Sequence, residues 1–152
     1  ARIIAIDTQE SKLDQARQLG ADLALLAGKD VALAIREATG GVGANLILDF
    51  VGNDTTLALG AKTMAQGGML EVIGVGGGTL PVRFPEMPRD SRVFVPYAGT
   101  ISDLEGVVEL LRADGLHPEV TQISFSELEE TYHRMDRGEL TGRAVLVPSL
   151  GR

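Results

Sequence analysis

Short β-branched apolar runs alternate with helical patterns along the whole chain, and no other feature restricts its fold as tightly. Arg2 to Ile6 (RIIAI), Leu23 to Leu26 (LALL), Leu46 to Val51 (LILDFV), Met69 to Val75 (MLEVIGV), Arg92 to Tyr97 (RVFVPY) and Ala144 to Val147 (AVLV) read as strands. A helix from Glu10 to Leu19 is stopped by Gly20. A second is capped by Asp30, carries Val31, Ala34, Ile35 and Ala38, and ends at Gly40–Gly41. A third is capped by Asn53 or Asp54, carries Leu57, Ala61 and Met64 on one face, and turns at Gln66–Gly67–Gly68. Pro81, Pro85 and Pro88 mark Thr79 to Ser91 as a loop with a short extended piece at Leu80–Phe84. Ser102 with Glu105, and Ser126 with Glu129, form capping-box patterns ahead of two more helices.

Strands joined by helices build βαβ units, whose strands run parallel. Nearly continuous apolar strands suit a sheet covered on both faces. The expected architecture is therefore α/β, a doubly wound parallel sheet. Its ligands should lie outside the carboxyl ends of the strands.

Composition narrows the function classes. Lys and Arg number 14 against 21 Asp and Glu, for a net charge of −7, so phosphate-rich nucleic acids are not expected partners. No apolar run approaches the roughly 18 residues of a membrane span. There is no Cys, hence neither a disulfide framework nor a thiolate zinc site in these residues. A cytoplasmic protein is expected. The chain opens on Ala1 inside an apolar run, without a signal-peptide pattern, and is expected to be part of a longer chain.

Few positions could carry chemistry. Asp7 closes the first strand ahead of a helix. In dinucleotide-binding folds an acid there accepts hydrogen bonds from the adenosine ribose and repels a 2′-phosphate. The bland alternative is a solvated acid that starts a turn. Lys12, in the first helical turn, opposes the helix dipole and is either a ribose ligand or an exposed helix lysine. A phosphate-binding G-x-G-x-x-G between a strand and a helix is not present. Gly40–Gly43 precedes a strand, the wrong order for such a loop. Gly74–Gly78 follows a strand, and either admits a ligand to the backbone or forms a flexible turn. His117 and His133 read as surface histidines. Arg143, between Gly142 and the last strand, is either a fork for pyrophosphate oxygens or the partner of a surface acid. No catalytic triad and no metal-ligand spacing is evident, so no catalytic or metal residue is assigned.

Taken in order, IIAIDTQESKLDQARQLGAD (3–22), TGGVGANLILDFVG (39–52), MLEVIGVGGG (69–78), YAGTISDLEGVVEL (97–110) and GELTGRAVLVP (138–148) resemble the coenzyme-binding half of zinc-type medium-chain alcohol dehydrogenases. The resemblance implies a Rossmann-like sheet lacking its first βα unit, with residues 1–152 forming a partial NAD-binding domain. It implies that Asp7 and Lys12 hold the adenosine ribose. Phe50, Val51 and Gly52 would pass beneath the cofactor. Ile73, Gly74 and Val75 would meet the nicotinamide carboxamide through backbone groups, and Arg143 would contact the pyrophosphate. Segments 80–83 and 92–98 fall where family subunits pair in a homo-oligomer. The family's zinc is held in an N-terminal domain by Cys, His and an acid, so zinc is expected only in the full-length enzyme.

Three expectations follow. In the usual strand order the missing strand separates 2–6 from 46–51, so those two should close on each other, or another chain should supply a strand by exchange. NAD binding should be weak or absent and the chain alone inactive, because the phosphate cradle is missing. The contrasting reading is a stand-alone oligomerisation module that has lost its cofactor. A regulatory nucleotide-binding domain of the flavodoxin-like type fits the βαβ rhythm but not the motif series.

Overall fold

The computed structural model describes residues 1–113 and 115–150. The chain divides into two compact units, Ala1–Tyr97 and Ala98–Arg152.

The first unit runs β1 (Ile4–Asp7), α1 (Glu10–Gln18), β2 (Leu23–Leu26), α2 (Val31–Ala38), β3 (Ala44–Asp49), α3 (Asp54–Thr63), β4 (Met64–Val72) and β5 (Arg92–Phe94). Every ladder in it is parallel, as expected for βαβ units: β1 with β2, β3 with β4, and β4 with β5. α1 places Leu13, which is buried, on the side facing β1 and β2, and it stops where Gly20 takes φ +95°. α2 buries Val31, Ala32 and Ile35 and packs beside α3. Leu57 of α3, with Met64 and Leu70 of β4, forms the centre of the core, and Ile47, Val72, Leu80 and Met87 pack against it. Full burial of each such side chain contributes about 1.5–3 kcal/mol.

The sheet of this unit is not continuous. β1 pairs only with β2, and β3 only with β4, among the described residues. The direct pairing expected between 2–6 and 46–51 is not formed. The helix layer opposes it: α2 contacts both β2 and α3, and Arg36 of α2 donates to the Lys62 carbonyl at 2.7 Å. Closing β1 onto β3 would require these helices to repack.

Element boundaries also differ from expectation: Met64, expected on a face of the third helix, is the first residue of β4, and β3 ends at Asp49 instead of Val51. Gln66–Gly67–Gly68 is not a free turn between elements. The register jumps from Ala44↔Met64 to Leu46↔Met69, so 65–68 bulge out of the β3–β4 ladder, with Gly67 at φ +70°. β5 stops at Phe94 instead of Tyr97, ahead of Pro96, which has no N–H to continue a ladder.

The second unit holds α4 (Ile101–Arg112), β6 (Val120–Ile123), a 3-10 turn (Phe125–Glu127), α5 (Leu128–Asp136) and β7 (Arg143–Leu146). β6 and β7 pair in parallel, Val120↔Arg143 to Ile123↔Leu146. β6 was not expected, because Thr121 and Gln122 dilute its apolar character and only Ile123 is buried. Both capping boxes lie two residues earlier than expected, at Thr100–Asp103 and Ser124–Glu127. No helix among the described residues is long and apolar enough to cross a membrane.

Candidate functional site

In the first unit the sequence-derived candidates lie at the carboxyl ends of the strands, where βαβ folds place their ligands. Asp7 is the last residue of β1 and is half-buried. Its Oδ1 accepts the Gln9 N–H at 2.9 Å, which turns the chain into α1. Its carbonyl accepts the Ala27 N–H at 2.8 Å, just beyond β2. The turn thus fixes the carboxylate with one oxygen engaged at the strand end. Lys12 follows in the first turn of α1, and its N–H reaches the Gln9 carbonyl at 3.1 Å. Farther along α1, Arg17 pairs with Glu10 at 2.9 Å and Asp14 at 2.6 Å, and these two bonds raise the guanidinium pKa above its ordinary value.

The second cluster is made where β3 and β4 end side by side. Beyond β4, the Ile73 and Gly74 N–H groups both donate to the Asp49 carbonyl, at 2.8 and 2.9 Å. Gly76 N–H then reaches the Val51 carbonyl, and Gly78 N–H the Gly52 carbonyl, each at 2.9 Å. Thr79 N–H closes the series on Asp54 Oδ1 at 2.7 Å. The two chain segments therefore continue together past the formal strand ends. Glycine is required for this. A Cβ on Gly76 would stand 2.5 Å from the Val51 oxygen, and one on Gly78 2.5 Å from the Asp54 nitrogen. A Cβ on Gly74 would enter the backbone of Phe50 and Val51. Gly74, Gly76 and Gly78 thus admit the neighbouring backbone, whereas Gly77, at φ +72°, has no atom within 4 Å of its would-be Cβ.

Side chains from this paired segment point outward. Phe50 is 69% exposed and Val75 99%, and Val51 and Ile73 are also exposed. Gly52 is buried at φ +70°. The segment then enters α3 through Asn53, whose side chain accepts the Thr56 N–H at 3.0 Å. An apolar surface bordered by strand-end backbone groups suits a flat, partly apolar ring with amide substituents.

In the sequence Asp49 is an acid inside an otherwise apolar strand, LILDFV. The structure makes it the hub of the segment. It is 6% exposed, and Oδ1 accepts both Val51 N–H and Gly52 N–H at 2.9 Å. Its Oδ2 is equally enclosed without a hydrogen-bond partner.

Arg143 lies in the second unit as the first residue of β7; it is exposed, and its N–H donates to the Glu119 carbonyl at 2.8 Å. His133 is exposed on α5, beside Glu129 and Tyr132 in an open depression of the same unit. Arg137 is held by Glu130 and Glu139 at 3.0 and 2.8 Å; these bonds raise its pKa, and Arg137 in turn lowers that of Glu139. Among the described residues no three His, Asp or Glu side chains are grouped to hold a metal ion.

Residues 1–113 match the family described as zinc-binding dehydrogenase. The chain belongs to that family. Over 151 residues it is 30% identical to an NAD-dependent alcohol dehydrogenase of Sulfurisphaera tokodaii, covering 97% of this chain and 44% of that protein. It is 27% identical to the D-arabinose 1-dehydrogenase (NADP(+)) of Saccharolobus solfataricus, covering 96% of this chain and 42% of that protein. The crystal structure of the alcohol dehydrogenase from Aeropyrum pernix superposes with a TM-score of 0.87 at 30% identity, over 97% of this chain and 43% of that one. This zinc-binding dehydrogenase chain is thus α/β with Rossmann-type relatives, and it spans less than half the length of the relatives it matches. Those relatives are oxidoreductases whose names divide between NAD and NADP(+).

Proposed function

We propose that the chain is the coenzyme-binding portion of an NAD-dependent alcohol dehydrogenase. The observation that carries the reading is Asp7, a half-buried carboxylate fixed at the end of a parallel strand in a chain of this family. A carboxylate there accepts from ribose hydroxyls and repels a 2′-phosphate, which favours NAD over NADP. Lys12 in the adjoining helical turn would add a donor to the same ribose. The apolar surface of Phe50, Val51, Ile73 and Val75 would receive the nicotinamide, with Gly52 and Gly74 holding the two backbones together beneath it. Bound NAD supplies the hydride-accepting carbon, and zinc in the family enzymes polarises the alcohol oxygen. The chain's own residues hold and orient the coenzyme; of the two outcomes expected for NAD, weak or absent binding, this reading commits to weak binding, and by itself the chain would turn over no alcohol.

Calorimetric titration of the 152-residue chain tests this. NAD should bind, NADP should bind less well, and Asp7→Ala should reduce NAD affinity by about tenfold, the loss of one charge-assisted hydrogen bond. Failure of NAD to bind would overturn the reading. A second reading, an oligomerisation module without cofactor, is favoured by the exposed Val93 and Phe94 on β5, which pairs only with β4 among the described residues. A stable dimer indifferent to NAD would support it.

A further inference from the structure

We infer that Asp49 is the positioning residue of the nicotinamide end of the site: its one carboxylate oxygen and its one carbonyl together fix both backbone segments on which the coenzyme ring would rest. The inference rests on the coenzyme reading above. Its basis is geometric. Oδ1 takes the N–H groups of Val51 and Gly52 at 2.9 Å each. The carbonyl of the same residue takes Ile73 N–H and Gly74 N–H at 2.8 and 2.9 Å. Four of the six nicotinamide-side candidates are therefore bonded directly to Asp49, and the other two, Phe50 and Val75, are their chain neighbours.

Position and burial support the role. Asp49 occupies the last ladder position of β3, opposite Val72, so its bonds act where the regular ladder gives way to the paired loops. At 6% exposure it cannot rest against a coenzyme as an open surface group would. It acts through the loops it holds. Oδ2, enclosed without a donor, takes no part in holding the loops. This separates two variants. Asp49→Ala removes the acceptor of both loop N–H groups, whereas Asp49→Asn keeps the Oδ1 acceptor and alters only the Oδ2 position.

The experiment compares NAD with AMP, which carries the adenosine ribose but no nicotinamide. Binding to the 152-residue chain and to both variants is followed by amide NMR shifts, which register weak complexes, alongside amide hydrogen exchange. Asp49→Ala is expected to weaken NAD by about tenfold while leaving AMP within about twofold, and Asp49→Asn to restore the NAD affinity. The Val51 and Gly52 amides should exchange faster in the alanine variant. In the unmodified chain NAD, but not AMP, should shift the amides of residues 51, 52, 73 and 74, a result that does not depend on either variant folding. Equal losses for NAD and AMP, or unmoved amides at those four positions when NAD binds, would overturn the positioning role alone. If the unmodified chain binds neither ligand, the coenzyme reading fails and the positioning role with it.

Discussion

At the scale of single residues, the glycines divide into those the fold cannot replace and those it can. Gly74 lies where a Cβ would enter the backbone of Phe50 and Val51, and backbone atoms held by the Asp49 bonds cannot retreat. Gly106 lies in α4 with no atom within 4 Å of its would-be Cβ. Gly74→Ala should therefore destabilise the first unit by more than about 2 kcal/mol, as overpacking against backbone does. Gly106→Ala should stabilise α4 by roughly 0.5–1 kcal/mol, because alanine loses less backbone entropy on entering a helix. Urea midpoints of the two variants against the unmodified chain check both signs. The contrast was partly legible in the sequence. The glycine run at 74–78 announced something special at a strand end, but a single sequence cannot show which neighbouring backbone presses on it. Asp49 was visible as an acid in an apolar strand; its hydrogen-bond partners are local in sequence on one side, 51 and 52, and distant on the other, 73 and 74. Asp7 stood out by position alone, since the end of a strand ahead of a helix is read directly from the pattern.

At the scale of elements, the helix starts show how an ambiguous pattern is resolved. Thr100–Ile101–Ser102–Asp103–Leu104–Glu105 contains two overlapping capping boxes, and Ser124 to Glu129 contains two more. In both places the earlier one forms, which adds residues to the helical segment and lets the acid answer two donors at once. Asp103 Oδ2 accepts from Thr100 N–H at 2.7 Å and from its hydroxyl at 2.8 Å. Glu127 Oε2 does the same for Ser124, at 2.8 and 2.7 Å. These backbone and hydroxyl bonds lower both carboxyl pKa values below those of an ordinary Asp and Glu. A carboxyl whose pKa is lower in the folded state contributes stability above its unfolded pKa and loses it as pH falls through the folded value. The stability of the second unit should thus be level above those ordinary values and decline as pH drops below them. Glu139, lowered by its bond to Arg137, adds to the decline with the same sign. Urea melts over a pH series should show the slope, and Asp103→Asn with Glu127→Gln should flatten most of it. An unchanged slope in that double variant would mean the boxes do not form in solution. The missed β6 has a different cause: a four-residue strand with one buried side chain carries almost no periodic signal.

For the whole molecule, the α/β class and the parallel pairing follow from the alternation of apolar strands and helices. What the alternation could not show is how many ladders the strands make, because that depends on neighbours far along the chain. The outcome leaves β1, β3 and β5 each paired on one side only among the described residues. Unpaired edges present rows of backbone donors and acceptors to other chains, and exposed apolar side chains along them add a driving force. β5 is the strongest case. Val93 and Phe94 are exposed on it, Val95 and Tyr97 continue the apolar surface past its end, and Tyr97 is 98% exposed. These residues fall in segment 92–98, proposed with 80–83 as the subunit contact, and Val82 of the latter is also exposed. The chain should self-associate in solution, and a lysine on the β5 edge should oppose it by placing like charges against each other in a two-fold contact. Sedimentation velocity of the unmodified chain, Phe94→Lys and Ile6→Lys separates the routes. Loss of the dimer in Phe94→Lys alone assigns the contact to β5. Loss in Ile6→Lys alone assigns it to strand exchange at the β1 edge, since Ile6 lies on that strand and is itself exposed. A monomer at every concentration of the unmodified chain would show that the edges are protected in solution, and the proposed subunit contact would be wrong.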